Sequence, residues 1–275
     1  MSRLYLVATP IGNLEDITHR ALRVLDEVPL IAAEDTRQTH KLLAHYKIET
    51  VRAPISYHEH NKKRQLKKIL SALDDGDVAL VSDAGTPGIN DPGYRLTRAA
   101  VQAGHTICPI PGPSAPLAAL IASGLPTDAF LYQGYLPRKS AQRKSALADV
   151  ASLPYTLIFL ETPHRLLDSL DDLREVLGNR EIAVARELTK LYEEIFRGRL
   201  EEACAYYAKN PPRGEITLVV AGAPDDAGKW SEARLDAAIK VAISEGGKPS
   251  KIARQLAKES GWPRREVYDL IIELK

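Results

Sequence analysis

Cysteine is almost missing from this chain: its 275 residues include two, Cys108 and Cys204, in separate strand-like and helix-like surroundings. Two such residues build neither a disulfide scaffold nor a cysteine-based zinc site, and they imply a reducing compartment, the cytoplasm. A surplus of either charge is missing too. Lysine and arginine number 37 against 36 aspartates and glutamates, a formal net charge of +1. Binding nucleic acid through bulk positive charge is thereby excluded, and only local basic patches remain for that purpose. Aromatic residues are scarce, at 6%, so stacking on bases would fall to a few positions, with Tyr57, Tyr135 and Tyr192 best placed. No apolar run approaches the ~18 residues of a membrane helix, and the opening MSRLYLVATPIGN lacks a signal peptide's apolar segment. A soluble protein with no membrane partner is expected. What is present is ordinary globular composition, 44% hydrophobic and 27% charged, over a length that suits one large domain or two modest ones.

The first 120 or so residues alternate short apolar runs with amphipathic stretches. Strands are expected at 4–8, 30–33, 51–55, 77–82 and 106–109. Helices are expected at 18–28, capped by Asp16 or Thr18, at 36–46, along the Leu66, Ile69, Leu70 and Leu73 face up to Gly76, and at 94–103. This order predicts a mostly parallel sheet covered on both faces, with its polar residues gathered at the strand ends. The turn-rich stretch Ser123-Gly124-Leu125-Pro126-Thr127-Asp128 marks a boundary. A second αβ unit is expected beyond it, with strands near 131–134, 156–160, 182–185, 194–197 and 216–220, and helices near 142–151, 165–177 and 201–208. The short 187–193 connection predicts some antiparallel pairing. After the loop Ala223-Pro224-Asp225-Asp226-Ala227-Gly228, three apolar stripes (Leu235 to Ile243, Ile252 to Ala257, Val267 to Leu274) predict a small helical bundle resembling a helix-turn-helix, its second helix capped by Ser250. The expected units are therefore 1–122, 123–224 and 229–275. The last carries a small basic excess that suits either a nucleic-acid contact or a plain stabilising cap.

Three glycine- and proline-rich turns each follow a predicted strand of the first unit: Ala8 to Leu14, Ser82 to Gly93, and Pro111 to Ala115. Glycine permits close backbone approach and proline keeps a loop rigid. One such turn merely connects strand to helix, but three on one sheet edge describe a preformed small-ligand pocket walled by main chain. The phosphate-binding GxxxxGK[ST] and the dinucleotide GxGxxG are both absent. Asp83 and Asp91 would oppose a polyphosphate, so a ligand with cationic character, or an adenosine without phosphates, fits better.

The motifs ATPIGNLEDIT (8–18), AAEDTR (32–37), SYHEHN (56–61), VSDAGTPGINDPG (81–93), PIPGPSA (109–115), FLETPHR (159–165), ARELTKLYEE (185–194) and GEITLVVAG (214–222) closely resemble the ribosomal RNA small subunit methyltransferase I family. That family is a branch of the tetrapyrrole-methylase-like enzymes that use S-adenosylmethionine (SAM). The resemblance spans residues 3 to about 222, and the helical tail is similar to that branch's C-terminal extension. It implies an α/β fold of two αβ domains of the tetrapyrrole methylase type, a SAM cleft between them and a homodimer. It implies 2′-O-methylation of a cytidine ribose in the decoding centre of 16S rRNA, and a neutral enzyme is consistent with a substrate presented by an assembled small ribosomal subunit. A tetrapyrrole methylase would begin more like GPGD where this chain has TPIGN. Carried across by position, the cofactor contacts fall on Pro10, on Ala84, Gly85, Thr86 and Ile89, on Ser114 and Ala115, and on Glu161 and Ala183. Thr86 stands where tetrapyrrole methylases place an acidic residue.

Methylating a ribose hydroxyl calls for positioning and a general base. Arg186, Glu187 and Lys190 cluster at the mouth of a second-unit strand. Glu187 and Lys190 are the leading catalytic candidates, followed by Glu161, Asp83 and Asp91; a structural ion-pair network is the alternative. His58, Glu59, His60 and Asn61 offer metal-ligand types, but the chemistry needs no metal and no metal is expected. His58 and Asn61 instead suit the substrate RNA, as do Arg165 and Arg186, while Arg37 either holds a phosphate or pairs with Glu34. Lys62 to Lys68 and Arg138 to Lys144 are basic stretches that are either solvated helix faces or tracks for a phosphate backbone. Three rival readings remain: a hydrolase using Asp83 and Asp91, a SAM-sensing RNA-binding regulator, and a tetrapyrrole or diphthamide-pathway methylase.

Overall fold

The short apolar runs of the first half become strands of a sheet whose central members, Leu30–Ala33 and Val78–Val81, are buried on both faces. The computed structural model describes residues 2–91, 93–224, 230, 232–244 and 247–274. Strands β1 (Arg3–Val7), β2 (Leu30–Ala33), β3 (Ile55–Ser56), β4 (Val78–Val81) and β5 (Thr106–Ile110) form one sheet in the order β3-β2-β4-β1-β5. Every pair in it is parallel. Parallel neighbours require crossovers, supplied by α1 (His19–Glu27), α2 (Thr36–His45), α3 (Lys62–Asp75) and α4 (Gly93–Gln102). Alternate residues of each strand face opposite cores. Ile31 and Val81 meet Val24 and Leu25 on one side, and Leu30 and Leu80 meet Ile69, Leu73 and Leu96 on the other. Thr18 caps α1 by accepting the Ala21 N–H at 3.1 Å.

One expected strand shrinks. Of 51–55 only Ile55 pairs, continuing to Ser56 against Ala32 and Ala33. Val51 is 74% exposed, and Pro54 has no N–H to give a ladder.

Helix α5 (Ala115–Ser123) follows the third glycine-rich turn. No amphipathic pattern announced it, because APLAALIAS is apolar nearly all round. Its Ala119 and Leu120 pack against Ile158, Ala183, Ala185 and Val219 of a second sheet, with Ile11 from the turn after β1 in the same cluster. That sheet contains β6 (Phe130–Tyr135), β7 (Thr156–Glu161), β8 (Glu181–Arg186), β9 (Glu194–Arg199) and β10 (Ile216–Val220), ordered β6-β7-β10-β8-β9. Only β6 and β7 run parallel. The 187–193 connection makes β8 and β9 an antiparallel pair, as its length requires. Helices α6 (Ser140–Ala148), α7 (Leu166–Leu177) and α8 (Leu200–Lys209) cover the face opposite α5 through a core that includes Leu147, Phe159, Leu170 and Leu218.

Helices α9 (Glu232–Ser244), α10 (Pro249–Ser260) and α11 (Arg264–Glu273) form a bundle on the anticipated stripes, with Leu235, Ile239, Ile252, Leu256, Val267 and Ile271 inside. Ser250 does not cap α10. Lys248 occupies the cap position with Pro249 at the first helical turn, where a missing N–H costs nothing. Of the expected linker, Asp225 to Gly228 lie outside the described residues, as does Lys229, the expected start of the third unit. Among the described residues no helix is long and apolar enough to cross a membrane.

Candidate active site

The parallel sheet brings the ends of β1, β4 and β5 to one edge, so the three glycine-rich turns meet there. The turns after β1 and β4 are stitched by a reciprocal bridge, Thr9 N–H to Gly85 O at 2.9 Å and Gly85 N–H to Thr9 O at 3.0 Å. Gly85 holds φ +78°, in the left-handed region that favours glycine. The Thr86 hydroxyl donates to Pro113 O at 3.2 Å, tying in the third turn. Asp91 folds the β4 loop back on itself, accepting the N–H groups of Gly88 and Gly93 at 2.8 and 2.6 Å. Pro92, within that loop, lies outside the described residues.

The second sheet closes over this edge. The Tyr132 hydroxyl donates to Asn90 Oδ1 at 3.0 Å, and the Thr189 Oγ1 accepts the Asn13 N–H at 3.0 Å. A bulge in β6 between Tyr132 and Gly134 lets the chain pass the Asn90 side chain. Gly134, at φ +66°, leaves no room for a Cβ: one built there meets Asn90 Nδ2 at 2.7 Å. Between the sheets is a cleft of about 400 Å³, a size that suits a small ligand. Its charged lining residues, Glu34, Asp83, Asp91 and Glu215, are all acidic. No lysine or arginine of the described residues lines it.

The expected cofactor residues divide. Ala84, Gly85, Thr86, Ile89, Ser114 and Ala115 line the cleft together. Pro10 lines a neighbouring cavity instead. Ala183 is fully buried against α5. Glu161 is buried outside the lining, its carboxylate accepting from Ser169 Oγ at 2.5 Å and the Thr162 N–H at 2.8 Å, with Arg165 Nε 3.5 Å away.

Glu187 and Lys190 also lie outside the lining and are coupled to it through Glu215. Lys190 Nζ reaches Glu187 at 2.8 Å and Glu215 at 3.0 Å. The Lys190 ammonium beside it holds the Glu187 carboxyl below the usual range. Burial opposes the charge on Lys190, but its two carboxylate partners outweigh burial and raise its pKa. Neither group is poised to take a proton near neutrality. The turn that carries them is strained: Glu187 and Thr189 sit at φ +52° and +66° without being glycine.

The cleft carboxylates differ from this pair. Burial pushes Glu34 and Asp83 up, and it pushes Asp91 up against the opposing effect of its loop N–H bonds. Glu34 is half-buried, and its Oε2 accepts the Asp83 N–H at 3.3 Å.

The expected RNA contacts are scattered. Arg37 pairs with Asp35, not Glu34, at 2.6 Å, its side chain 85% exposed. Asn61 braces its own turn, accepting the His58 N–H at 2.9 Å and donating to Ser56 O at 3.0 Å. His58 Nδ1 is buried without a partner among the described residues. Arg165 donates to Leu136 O at 2.7 Å, and Arg186 is held by Glu194 at 2.6 Å. The 138–144 basic stretch is partly spent on ion pairs of the fold, while Arg138 and Lys139 stay exposed. Arg143, 3% exposed, pairs with Asp172, and Lys144 pairs with Glu175. Glu34 and Glu215 as lining residues, and Tyr132 as their cover, were not foreseen. Glu34 at the end of an apolar strand is the one signal that pointed there.

A parallel sheet and a mixed sheet closed over three glycine-rich turns define a methylase of the tetrapyrrole class. The family model for tetrapyrrole (corrin/porphyrin) methylases matches residues 3–204. The crystal structure of uroporphyrin-III C-methyl transferase from Thermus thermophilus complexed with S-adenosyl homocysteine has the same fold (TM-score 0.56, 21% identity). The match covers 80% of this chain and 97% of that one. Sequence narrows the class. The chain is 49% identical to ribosomal RNA small subunit methyltransferase I of Synechocystis sp., over 100% of this chain and 99% of the relative. It is 47% identical to the protein of the same name from Halalkalibacterium halodurans, over 97% and 93%. The chain belongs to the ribosomal RNA small subunit methyltransferase I family, a branch of the tetrapyrrole methylases.

Proposed function

We propose that the protein methylates the 2′-oxygen of a cytidine ribose in the decoding centre of 16S rRNA, with SAM as methyl donor. Its substrate is the assembled small ribosomal subunit, and it works in the cytoplasm as a homodimer. The observation that carries this reading is the cleft's character: main-chain turns for walls and only acidic charges in its lining. Such a site repels polyphosphates and favours an adenosine that carries a positive sulfonium. Ala84, Gly85, Thr86, Ile89, Ser114 and Ala115 are the residues that would hold SAM, as expected of the family. When bound, SAM supplies a methyl group already activated by its cationic sulfur.

The protein's own task is alignment and proton removal. Glu34 faces the cleft with its carboxyl pushed up by burial, which makes it a better base than an ordinary glutamate. It is the proposed proton acceptor. Glu187 and Lys190, paired beside the cleft, are proposed to position Glu215 and the strained 187–190 turn rather than to exchange protons. The exposed Arg37, the SYHEHN turn with His58 and Asn61, and the basic face of α3 stand at the end of the first sheet and would meet RNA backbone. Arg165 and Arg186 are read as bracing that side of the second sheet.

The test is incubation with labelled SAM and, separately, small ribosomal subunits, free 16S rRNA and a tetrapyrrole. Label on the 2′-oxygen of one cytidine in the subunits is expected. Label in the tetrapyrrole, or in none of the three, overturns the reading.

A further inference from the structure

A second cavity adjoins the cleft. It has about 300 Å³ and lies between α2 and the turns after β1 and β4, sharing Ser82 and Asp83 with the cleft as a common wall. Its apolar sides are Pro10, Leu14 and Leu42; of its polar residues, Thr9, Thr39 and Ser82 donate their hydroxyls to main-chain carbonyls, and Gln38, Lys41 and Asp83 remain. We infer that this cavity receives the base of the nucleoside being methylated, and that Asp83 and Gln38 select a base with an exocyclic amino group. The inference rests on the proposed RNA-methylating function and adds to it the place and the readers of the base.

Three observations support it. First, the apolar surface of Pro10, Leu14 and Leu42 beside a polar edge suits a planar heterocycle, which has faces to bury and an edge to satisfy. Second, the polar edge has a defined sense. Asp83 Oδ1 accepts the Asp35 N–H at 2.8 Å, while Oδ2 has no partner among the described residues. Gln38 Oε1 accepts from Lys41 Nζ at 3.4 Å, which leaves the amide NH2 of Gln38 to donate. The cavity therefore offers a carboxylate acceptor and an amide donor. A base presenting an amino group next to a ring nitrogen or carbonyl matches both, whereas a keto group would set oxygen against the Asp83 carboxylate. Third, the shared wall joins the two cavities at the right point. Asp83 also donates its N–H to Glu34 Oε2 at 3.3 Å, so the sugar of a base seated against Asp83 lies toward Glu34 and the cleft. Lys41, exposed at the rim, is available to a flanking phosphate.

The test uses the full chain, SAM, and small subunits carrying either cytidine or uridine at the methylated position. Single-turnover rates give a cytidine-to-uridine preference, and calorimetry with S-adenosyl homocysteine reports the cleft separately. The unaltered protein should prefer cytidine by about 100-fold or more, since a site built to hydrogen-bond rejects the analogue that leaves it unpaired. Asp83→Asn should shrink that preference at least about tenfold, because its amide can turn an N–H toward a keto oxygen. Gln38→Ala, at an exposed helix position that should not disturb folding, should raise KM for cytidine subunits about tenfold while leaving S-adenosyl homocysteine affinity unchanged. If Asp83→Asn methylates with the original preference, or Gln38→Ala has unchanged kinetics, the inference falls and the proposed function stands. If Asp83→Asn does not methylate at all, Gln38→Ala alone decides. If the unaltered protein labels no subunit RNA, the proposed function itself fails and takes the inference with it.

Discussion

The two sheets have five strands each, yet they contribute to the cleft in different ways. In the first sheet all strands run the same way, so three successive strand ends deliver their turns to a single edge. That edge supplies the main-chain walls, Glu34, Asp83 and Asp91. In the second sheet most neighbours are antiparallel, their ends alternate, and no edge collects turns in this manner. It offers mainly the inward side chains Tyr132, Tyr135, Leu160 and Thr217 of β6, β7 and β10, with Ile216 at the lining although its side chain belongs to the opposite core. Strand direction thus divides the labour: the parallel sheet carries recognition, and the mixed sheet supplies a cover joined to it at Asn90 and Thr189.

This division is most easily broken at Gly85. Valine there would need φ +78° from a β-branched residue and would bring its Cβ to 3.4 Å from Ile11 Cγ2. Gly85→Val should reduce S-adenosyl homocysteine binding by about 100-fold or more in calorimetry, equivalent to ~3 kcal/mol. Unchanged affinity in a folded variant would take this turn out of the site.

Glu34 sharpens the comparison, because it assigns the chemistry to the recognition wall. Burial raises the Glu34 pKa. As pH falls, Glu34 therefore takes up its proton at a higher pH than an ordinary glutamate and ceases to accept one. The methyl-transfer rate should show an acid limb displaced upward accordingly. Glu34→Gln should lower the single-turnover rate about 100-fold, within the usual range for a general base, and abolish that limb. Stability runs the other way. A carboxyl whose pKa is raised by folding favours the folded state at low pH, and that contribution is lost as pH rises through the raised value. The variant should therefore melt no lower than the original at neutral pH. A full-rate variant with the limb intact would send the search for the base to Asp83.

On the cover side, smaller effects are expected. Lys190→Met removes a cation shared by Glu187 and Glu215. If the pair only positions the turn, the rate should fall about tenfold or less and S-adenosyl homocysteine affinity should hold. A loss matching Glu34→Gln, with a shifted basic limb, would return Lys190 to the proton-transfer step.

How far the sequence foretold this molecule follows the same division. The parallel sheet was legible because most of its strands are local apolar runs and each turn a local glycine–proline cluster, so the three turns that meet at the cleft could be read directly, while the resemblance to the family singled out Ala84, Gly85, Thr86, Ile89, Ser114 and Ala115 within them. The cover was not. Leu160, Ile216 and Thr217 line the cleft only because of strand pairing with distant partners, and the Tyr132–Asn90 bond joins residues of separate sheets. Helix α5 was missed because periodicity identifies only helices with a polar side, and α5 is apolar around most of its circumference. The 138–144 stretch misled at one position, for the opposite reason. Its charge suggested a surface, but Arg143 lies buried against Asp172, a partner that composition cannot reveal.

The helical tail belongs to neither sheet, and it tests whether anything beyond the cleft and its rim helps to hold the substrate. Arg254, Lys258, Arg264 and Arg265 are exposed on α10 and α11, off the buried stripe of Ile252, Leu256, Val267 and Ile271. They add nothing to that core, so replacing all four with glutamine should leave the bundle folded. S-adenosyl homocysteine affinity should not change, since none of them lines the cleft. If the tail meets rRNA, filter binding to small subunits should weaken a few-fold at physiological salt. The logarithmic salt slope should also flatten, by up to about 0.7–0.9 for each phosphate that is no longer neutralised, because fewer counterions are released. The slope decides between roles: a tail that only supports folding or self-association leaves it where it was, whatever happens to the melting temperature.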